Sequence, residues 1–339
     1  MTDVPTLNKA ALSDLFAALY NFDSETARAR LKDCVAAGAP MRLSFPFETM
    51  DGAEGYFGAA LSPLSAAFPD LERRQTILIA GPGPDGAQWV GSCGCYTGVF
   101  ARPFLDIPPT GHQASLRFHE FFRMEDERIV EMQALWDLPE LMMQSGSWPM
   151  SATLGREWHV PGPATCDGLV PGPYDAERSR ASCVLVGEML DALGCYAEGG
   201  VEAMRLGEYW HPRMSWYGPS GIGTCRGIDG FRRWHQAPFL RGMPDRRGFS
   251  SGRGNLFGDG DYVGYTKWPG MSATITGDGW LGIAPAGREV TMRSLDFWRC
   301  EGGLIRENWV LVDLLDVYDQ IGVDVLGRMR ELSSAPGDN

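Results

Sequence analysis

The feature that most constrains this chain is an internal repeat, because two copies of one segment predict two copies of one fold. Residues 111–123, Gly-His-Gln-Ala-Ser-Leu-Arg-Phe-His-Glu-Phe-Phe-Arg, align without gaps on residues 287–299, Gly-Arg-Glu-Val-Thr-Met-Arg-Ser-Leu-Asp-Phe-Trp-Arg. The alignment continues to Asp137 and Asp313, which lie 176 positions apart like the residues before them. A register held over this length predicts a tandem duplication.

The repeat and the length together predict two domains. The chain has 339 residues, which is long for one domain and sufficient for two. Between the copies lies a stretch rich in Pro and Gly that has no counterpart, as expected of a connection. We predict a first domain at residues 8–147, a linker at residues 148–180 and a second domain at residues 181–332.

Within each copy the order of patterns predicts an α+β domain. Each copy opens with apolar residues at helical spacing, which are Leu12, Leu15, Phe16 and Leu19 in the first and Val186, Met189, Leu190 and Leu193 in the second. Short runs of β-branched and aromatic residues, separated by Gly, Pro and Asp turns, then predict antiparallel strands. Helices followed by such strands favour a curved sheet with helices on one face.

Composition limits the partners and the compartment. The formal net charge of −13 disfavours binding to nucleic acid or to anionic membranes. We find no apolar run long enough to span a bilayer and no signal-type N-terminus, so we expect a cytoplasmic protein. The cysteines lack the paired spacing of a zinc site, and no phosphate-binding loop is present, so we expect neither a metal nor another cofactor.

The last hairpin of the second copy can be registered from its turn. Gly302 and Gly303 form a strong two-residue turn signal. Counting outward predicts cross-strand pairs on one face: Trp298 with Glu307, Asp296 with Trp309, Ser294 with Leu311 and Met292 with Asp313. The equivalent face of the first copy is then predicted to carry Glu120, Gln133 and Asp137, with His119 on the opposite face.

Several segments resemble the SnoaL-like polyketide cyclases, also called ester cyclases. In the first copy these are Pro-Pro-Thr-Gly at 108–111, Phe-Phe-Arg at 121–123, Arg-Ile-Val-Glu at 128–131 and Trp-Asp-Leu at 136–138. They are similar to the family's final hairpin, which ends in a W-x-x-x-D aspartate. Further likeness lies in Phe-Pro-Asp at 68–70 and Gly-Cys-Tyr-Thr-Gly at 94–98. The resemblance covers both copies.

This resemblance implies the cone fold of nuclear transport factor 2 and ketosteroid isomerase, with a deep apolar pocket. It also implies a cofactor-independent enzyme that closes a ring by an intramolecular aldol step on a hydrophobic carbonyl compound. A pocket carboxylate would act as the base, because burial raises its pKa toward the operating pH. Asp137 and Asp313 occupy the position of the family's terminal aspartate.

We select the second copy as the better candidate site, because its aromatic and acidic residues are denser. The predicted catalytic residues are Asp313, Asp296, His235 and Asp137. The predicted substrate-binding residues are Trp309, Tyr217, Trp216, Trp268, Glu307, Tyr96, Glu120 and Gln133. The family's G-T-H histidine corresponds to Tyr96 here and falls near Trp268 in the second copy. For Asp137 and Asp313 a helix-capping role is the alternative, and for His235 a packing role.

The sequence leaves three functional hypotheses open. The first is a cyclase or isomerase, the second is a non-catalytic protein that binds an apolar small molecule, and the third is a hydratase, epoxide hydrolase or dehydratase. We also expect the copies to pack as an intramolecular pseudo-dimer, with further homo-oligomers left open. This contact is predicted to involve Leu295, Phe297, Val310 and Val312 and their counterparts His119, Phe121, Ala134 and Trp136.

Overall fold

The computed structural model describes residues 3–248, 254–277 and 279–333. In the first copy the helices are α1 (Val4–Ala11), α2 (Ser13–Tyr20), α3 (Ser24–Cys34), α4 (Gly52–Tyr56), α5 (Ser62–Ala67) and α6 (Leu138–Gln144). The strands are β1 (Pro40–Leu43), β2 (Glu48–Asp51), β3 (Glu72–Pro82), β4 (Gln88–Val99), β5 (Gln113–Glu125) and β6 (Arg128–Trp136). A π-helical turn, Phe57–Leu61, joins α4 to α5.

The second copy repeats this order. Its helices are α7 (Ala176–Gly194), α8 (Tyr196–Ala203), α9 (Leu206–Tyr209), α10 (Gly227–Phe231), α11 (Ala237–Gly242), α12 (Leu314–Gln320) and α13 (Val325–Ser333). Its strands are β7 (Trp210–Tyr217), β8 (Thr224–Arg226), β9 (Asn255–Asp259), β10 (Tyr262–Thr274), β11 (Glu289–Glu301) and β12 (Leu304–Val312). A π-helical turn recurs at Arg232–Gln236. Helix α7 begins inside the segment that we predicted as linker.

The two sheets have the same topology, which confirms the duplicated α+β fold. The strand orders are β2-β1-β6-β5-β4-β3 and β8-β7-β12-β11-β10-β9. All neighbours are antiparallel except β1 with β6 and β7 with β12, so each sheet is mixed. Among the described residues, no helix is long and apolar enough to cross a bilayer.

The final hairpin forms at the predicted turn, but its register differs from the prediction. Gly302 and Gly303 both have positive φ, as a two-residue hairpin turn requires. A β-bulge at Arg306 then shifts β12 by one residue, so that Asp296 pairs with Val310 and Phe297 pairs with Trp309. Because side chains alternate along a strand, this shift moves the predicted β12 residues to the opposite face.

The first copy contains the same bulge, with the same result. Arg123 pairs with Glu131 and Met124 pairs with Ile129, which leaves one extra residue on β6. Gln133 therefore lies opposite Phe121 and not on the face of Glu120, which pairs with Ala134. The prediction that His119 and Glu120 point to opposite faces agrees with their adjacent places on β5.

The sheets pack against each other through the faces that point away from their helices. Phe121 stacks on Phe297 with 4.7 Å between ring centroids, and His119 Nδ1 lies 2.8 Å from the carbonyl oxygen of Leu295. Gly91 makes room for these rings, since a Cβ there would lie 2.9 Å from Phe297. The predicted contact through Leu295, Phe297 and their counterparts is thus present.

The β12 and β6 part of that predicted contact was wrong, again because of the bulges. Leu135, Trp309 and Leu311 join the buried interface cluster. Val310, Ala134 and Trp136 belong instead to the core beneath the helices, and Val312 packs against that core. Outside the sheet faces, a buried ion pair joins α1 to β9, with Lys9 Nζ 2.5 Å from the carboxylate of Asp259.

Candidate active site

The second domain encloses a cavity of about 420 Å³ between its sheet and its helices. Most of the wall is aromatic or aliphatic, and a few polar groups interrupt it. The apolar lining includes Leu190, Trp210, Trp216, Phe231, Phe239, Met271, Trp280, Met292, Trp298, Val310 and Val312. The polar lining includes His235, Gln236, Arg246, Ser294, Asp296 and Asn308. This size and composition are those of a site for a small, largely apolar molecule.

Asp296 is the buried carboxyl group in this wall. It lies on β11, its side chain is 3% exposed, and Ser294 Oγ donates to Oδ2 over 2.7 Å. Burial raises the pKa of Asp296 from its ordinary 3.8 to about 7, while hydrogen bonds from Ser294 and Asn308 act in the opposite direction. Desolvation dominates because the surrounding rings cannot replace the lost water. The carboxyl group can therefore release and take up a proton near neutral pH.

His235 also lines the cavity, as a neutral imidazole. Its ring stacks on Trp216 with 4.2 Å between centroids, and it contacts Phe231 and Phe239. Burial, together with a smaller contribution from the positive charge of Arg246, lowers the pKa of His235 to about 3. Within the described residues Nδ1 has no hydrogen-bond partner. His235 can serve as a hydrogen-bonding group, but it is too weak a base to compete with Asp296.

In the first domain the corresponding space is filled by a buried ion pair. Arg73 Nη2 lies 2.6 Å from Glu120, the counterpart of Asp296, and both side chains are almost completely buried. The guanidinium also lies over the rings of Phe118 and Phe16, at 4.1 and 4.8 Å. Tyr96 Oη donates to the second Glu120 oxygen over 3.0 Å. The charge of Glu120 is therefore balanced by Arg73, and its side chain is buried within its own domain.

Strand pairing identifies the residue that replaces Arg73 in the second domain. Glu72 pairs with Thr97 in the first domain, and Arg247 bridges to Ser272 in the second. Arg247 follows Glu72 by 175 positions, and Ser272 follows Thr97 by the same number, so the two pairs are equivalent. The residue that follows is Arg73 in the first copy and Gly248 in the second, so these two positions are equivalent. Gly248 has φ +103°, a conformation that favours glycine, and it lines the cavity. A long buried cation in one copy is thus replaced by no side chain in the other.

The same register corrects the predicted counterpart of Tyr96. Tyr96 pairs with Leu116, and Met271 pairs with Met292, so Met271 and not Trp268 takes the place of Tyr96. Trp268 packs against the interface cluster instead, and the guanidinium of Arg293 lies 4.9 Å from its ring centre. The irregularity between Lys267 and Met271 in β10 displaced the prediction.

Asp137 and Asp313 have capping and bridging contacts rather than a place in the cavity wall. Each is the N-cap of the helix that follows it, accepting from the backbone N–H of Glu140 or Asp316. The two aspartates also reach across the domain interface. Asp137 accepts from the backbone N–H of Ser220, and Asp313 from that of Phe45, both over 2.9 Å.

Each of these aspartates also forms an ion pair with an arginine of its own domain. Arg117 forms a buried ion pair with Asp137, and Arg293 lies 3.2 Å from Asp313. Burial raises the pKa of Asp313 to about 7, although the N–H of Phe45 and the charge of Arg293 oppose this shift. We call this set, Arg117 with Asp137 and Arg293 with Asp313, the interdomain clasp.

The remaining predicted binding residues lie on the interface side of the sheets. Trp309 packs on Tyr217 at 5.3 Å and donates its indole N–H to the carbonyl of Pro161 in the connecting segment. Glu307 forms an ion pair with Arg299 at 2.6 Å and accepts from Tyr217 Oη. Gln133 accepts from Thr266 Oγ1 of the other domain. These residues hold the two halves together and do not line the cavity.

Of the predicted site residues, the structure therefore brings Asp296, His235 and Trp216 together. The sequence analysis placed Trp298 on the face of Asp296 without assigning it to the site, and it missed Asn308 and Gly248. Asn308 pairs with Trp298 once the bulge in β12 is counted, so knowledge of the bulge would have placed Asn308 on this face. In the described part of the chain, no group of three His, Cys, Asp or Glu side chains is close enough to hold a metal ion.

Comparison with known proteins gives the family. A family model described as SnoaL-like polyketide cyclase matches twice, at residues 15–145 and 193–321. IdmH from Streptomyces antibioticus is 22% identical, with a match that covers 41% of this chain and 98% of IdmH and a TM-score of 0.35. TsrD from Streptomyces laurentii is 23% identical, with 41% and 95% covered and a TM-score of 0.34. No curated protein matches the chain. Because the two family matches span most of the sequence, this chain belongs to the SnoaL-like polyketide cyclase family.

Proposed function

We propose that this protein is a cofactor-independent enzyme that removes a proton next to a carbonyl group, with Asp296 as the base and the cavity of the second domain as the active site. The observation that carries the proposal is a buried carboxyl group, with its pKa raised to about 7, in an aromatic cavity of about 420 Å³. A base is most effective when its pKa lies near the operating pH.

The proposed reaction is an aldol-type ring closure. The Asp296 carboxylate takes the proton from the carbon beside one carbonyl, which leaves an enolate. The enolate carbon then forms a bond to a second carbonyl carbon of the same molecule. The alkoxide produced takes the proton back from the Asp296 carboxylic acid, so the enzyme returns to its starting state. Isomerisation is the shorter version, in which the proton returns to a different carbon.

The other polar groups of the cavity suit this role. Ser294 donates a hydrogen bond to Asp296 and fixes its orientation, and Asn308 lies in the same wall. The neutral ring of His235 offers an N–H to the enolate oxygen without becoming charged. The aromatic walls exclude water, which keeps the enolate from being protonated by solvent.

The test is proton exchange in a simple ketone. 2-Tetralone in D₂O buffer at pH 7.5 would be followed by proton NMR, which reports loss of the hydrogens beside the carbonyl. We expect Asp296→Asn to slow the enzyme-dependent exchange by about a hundredfold or more, the usual contribution of a general base. Asn keeps the shape of the side chain and can still accept from Ser294, so folding should be preserved.

Asp245→Asn is the matched control. Asp245 is exposed, lies outside the cavity wall and accepts from the backbone N–H and hydroxyl of Thr274. Its variant should exchange 2-tetralone at the wild-type rate. Equal exchange by wild type and Asp296→Asn would refute the assignment of the base. Tight binding of the ketone without any exchange would favour the non-catalytic reading of the cavity.

A further inference from the structure

A single arginine stands at one side of the cavity without a carboxylate partner in the described part of the chain. Arg246 lines the cavity together with Tyr196 and is partly buried. Its Nη2 donates to the carbonyl of Leu193 over 2.7 Å, and its guanidinium lies 5.5 Å from the ring centre of Tyr196. Arg247 also lines the cavity, but it is paired with Glu289.

The neighbouring acids are already committed to other partners. Asp245, the preceding residue, accepts from Thr274, and Glu289 is paired with Arg247 at 2.7 Å. Desolvation lowers the pKa of Arg246, and among the described residues Tyr196, not a carboxylate, opposes this shift. A partly buried guanidinium in this state gains most from an anion that arrives with a ligand.

Arg246 and Asp296 both line the same cavity. Asp296 supplies a buried carboxyl group to this cavity, and most of the remaining wall is apolar. The charge of Arg246 does reach His235, whose pKa it lowers. The cavity thus combines a cation whose charge acts on His235, a buried carboxyl group and a mostly apolar wall.

We infer that the ligand of this cavity carries a carboxylate that pairs with Arg246, an apolar or aromatic body, and a carbonyl group that reaches Asp296. The inference rests on the proposed function for the role of that carbonyl, but the carboxylate contact can be measured by itself. A carboxylate matches the planar fork of one guanidinium, whereas a doubly charged phosphate usually needs more donors than one arginine supplies.

The probes are 4-(2-naphthyl)-4-oxobutanoate and its methyl ester, which differ only in the charged end. Binding to the full chain would be measured by isothermal titration calorimetry at low salt. We expect the acid to bind about tenfold to a hundredfold tighter than the ester, the fold-change of one charge-assisted hydrogen-bonded contact. Arg246→Gln should remove this preference by weakening the acid and leaving the affinity for the ester nearly unchanged.

Arg233→Gln provides the matched control. Arg233 is exposed, lies over the ring of Trp234 at 4.7 Å and is not part of the cavity wall. This variant loses the same formal charge from the same domain and should retain the preference for the acid. Equal preference in wild type and Arg246→Gln, no preference in wild type, or no binding of the acid at millimolar concentration would each overturn the inference.

The two proposals fail in distinguishable ways. If 2-tetralone exchange depends on Asp296 while the acid is not preferred, only the carboxylate contact is wrong. If the preference depends on Arg246 while no exchange is catalysed, the cavity binds an oxo acid and the proposed reaction is wrong. Thermal melting of each variant confirms that the comparison is made between folded proteins.

Discussion

The charge state of Asp296 predicts how stability depends on pH, independently of any substrate. The folded protein holds this carboxyl group at a pKa of about 7, against its ordinary value of 3.8. Between these values the folded state binds more protons than the unfolded state, so the stability that Asp296 contributes falls as pH rises. Below pH 4 the group is protonated in both states, and above pH 7 the loss is complete.

Asn cannot ionise, so Asp296→Asn removes this dependence. A change in pKa from 3.8 to about 7 corresponds to about 4 kcal/mol at 1.36 kcal/mol per pH unit. The free energy of unfolding of the variant, relative to wild type, should therefore rise by up to about 4 kcal/mol between pH 4 and pH 8. At pH 8 the variant should be the more stable protein, since it avoids a buried charge.

Urea denaturation followed by tryptophan fluorescence, at pH values from 4.5 to 9, measures this difference. Asp245→Asn again serves as control, because hydrogen bonds from Thr274 lower the pKa of Asp245. Its contribution is already present above its ordinary pKa of 3.8, so the stability of that variant relative to wild type should stay nearly constant from pH 4.5 to 9. A wild-type minus Asp296→Asn difference that stays constant with pH would refute the reasoning, because it would mean that Asp296 has an ordinary pKa.

Three more results follow from the contrast between the domains. Arg73→Met should lower the free energy of unfolding, measured by urea denaturation, by about 3–5 kcal/mol, because it leaves Glu120 buried without its cation. A smaller loss in the Arg73→Met, Glu120→Gln double variant would identify the unpaired charge of Glu120 as the cause. Ser294→Phe introduces the residue that the first domain has at this position, Phe118, and should abolish exchange of 2-tetralone by filling the cavity; unchanged exchange by NMR would contradict the assigned site. Asp313→Ala should lower the free energy of unfolding by about 1–2 kcal/mol through the lost helix cap, with exchange per folded molecule unchanged, whereas an inactive folded protein would restore Asp313 as a catalytic candidate.

The fold could be predicted from the sequence because the same order of helix and strand patterns occurs twice, and each copy supports the assignment made in the other. The amphipathic helices, the Gly302–Gly303 turn and the packing of Phe121 on Phe297 all depend on local spacing or on the offset between copies. The bulge at Arg306 could not be read from spacing, since an extra residue leaves no mark in the pattern of apolar residues. That one residue reversed the faces assigned to Trp309 and Asp313.

The site was predicted less completely than the fold for the same physical reason. Asp296 and His235 were found because an acid and a histidine are visible among aromatic residues. The cavity itself depends on Gly248, and the absence of a side chain gives no signal until strand pairing sets it opposite Arg73. Arg246 was not singled out, since the absence of a carboxylate partner among the described residues is a property of the packed structure.

Covalent duplication allows the two cones to differ while the surfaces between them stay reciprocal. In a symmetric dimer of identical chains, both cones would contain arginine or both would contain glycine at the position of Arg73 and Gly248. Here the clasp keeps its symmetry, with Asp137 and Asp313 each accepting a backbone N–H of the other domain. The cone of the first domain is filled, so that domain contributes packing surface and the second contributes the cavity. In such a chain, substitutions can change the cavity lining around Asp296 without altering the interface that holds β11 in place.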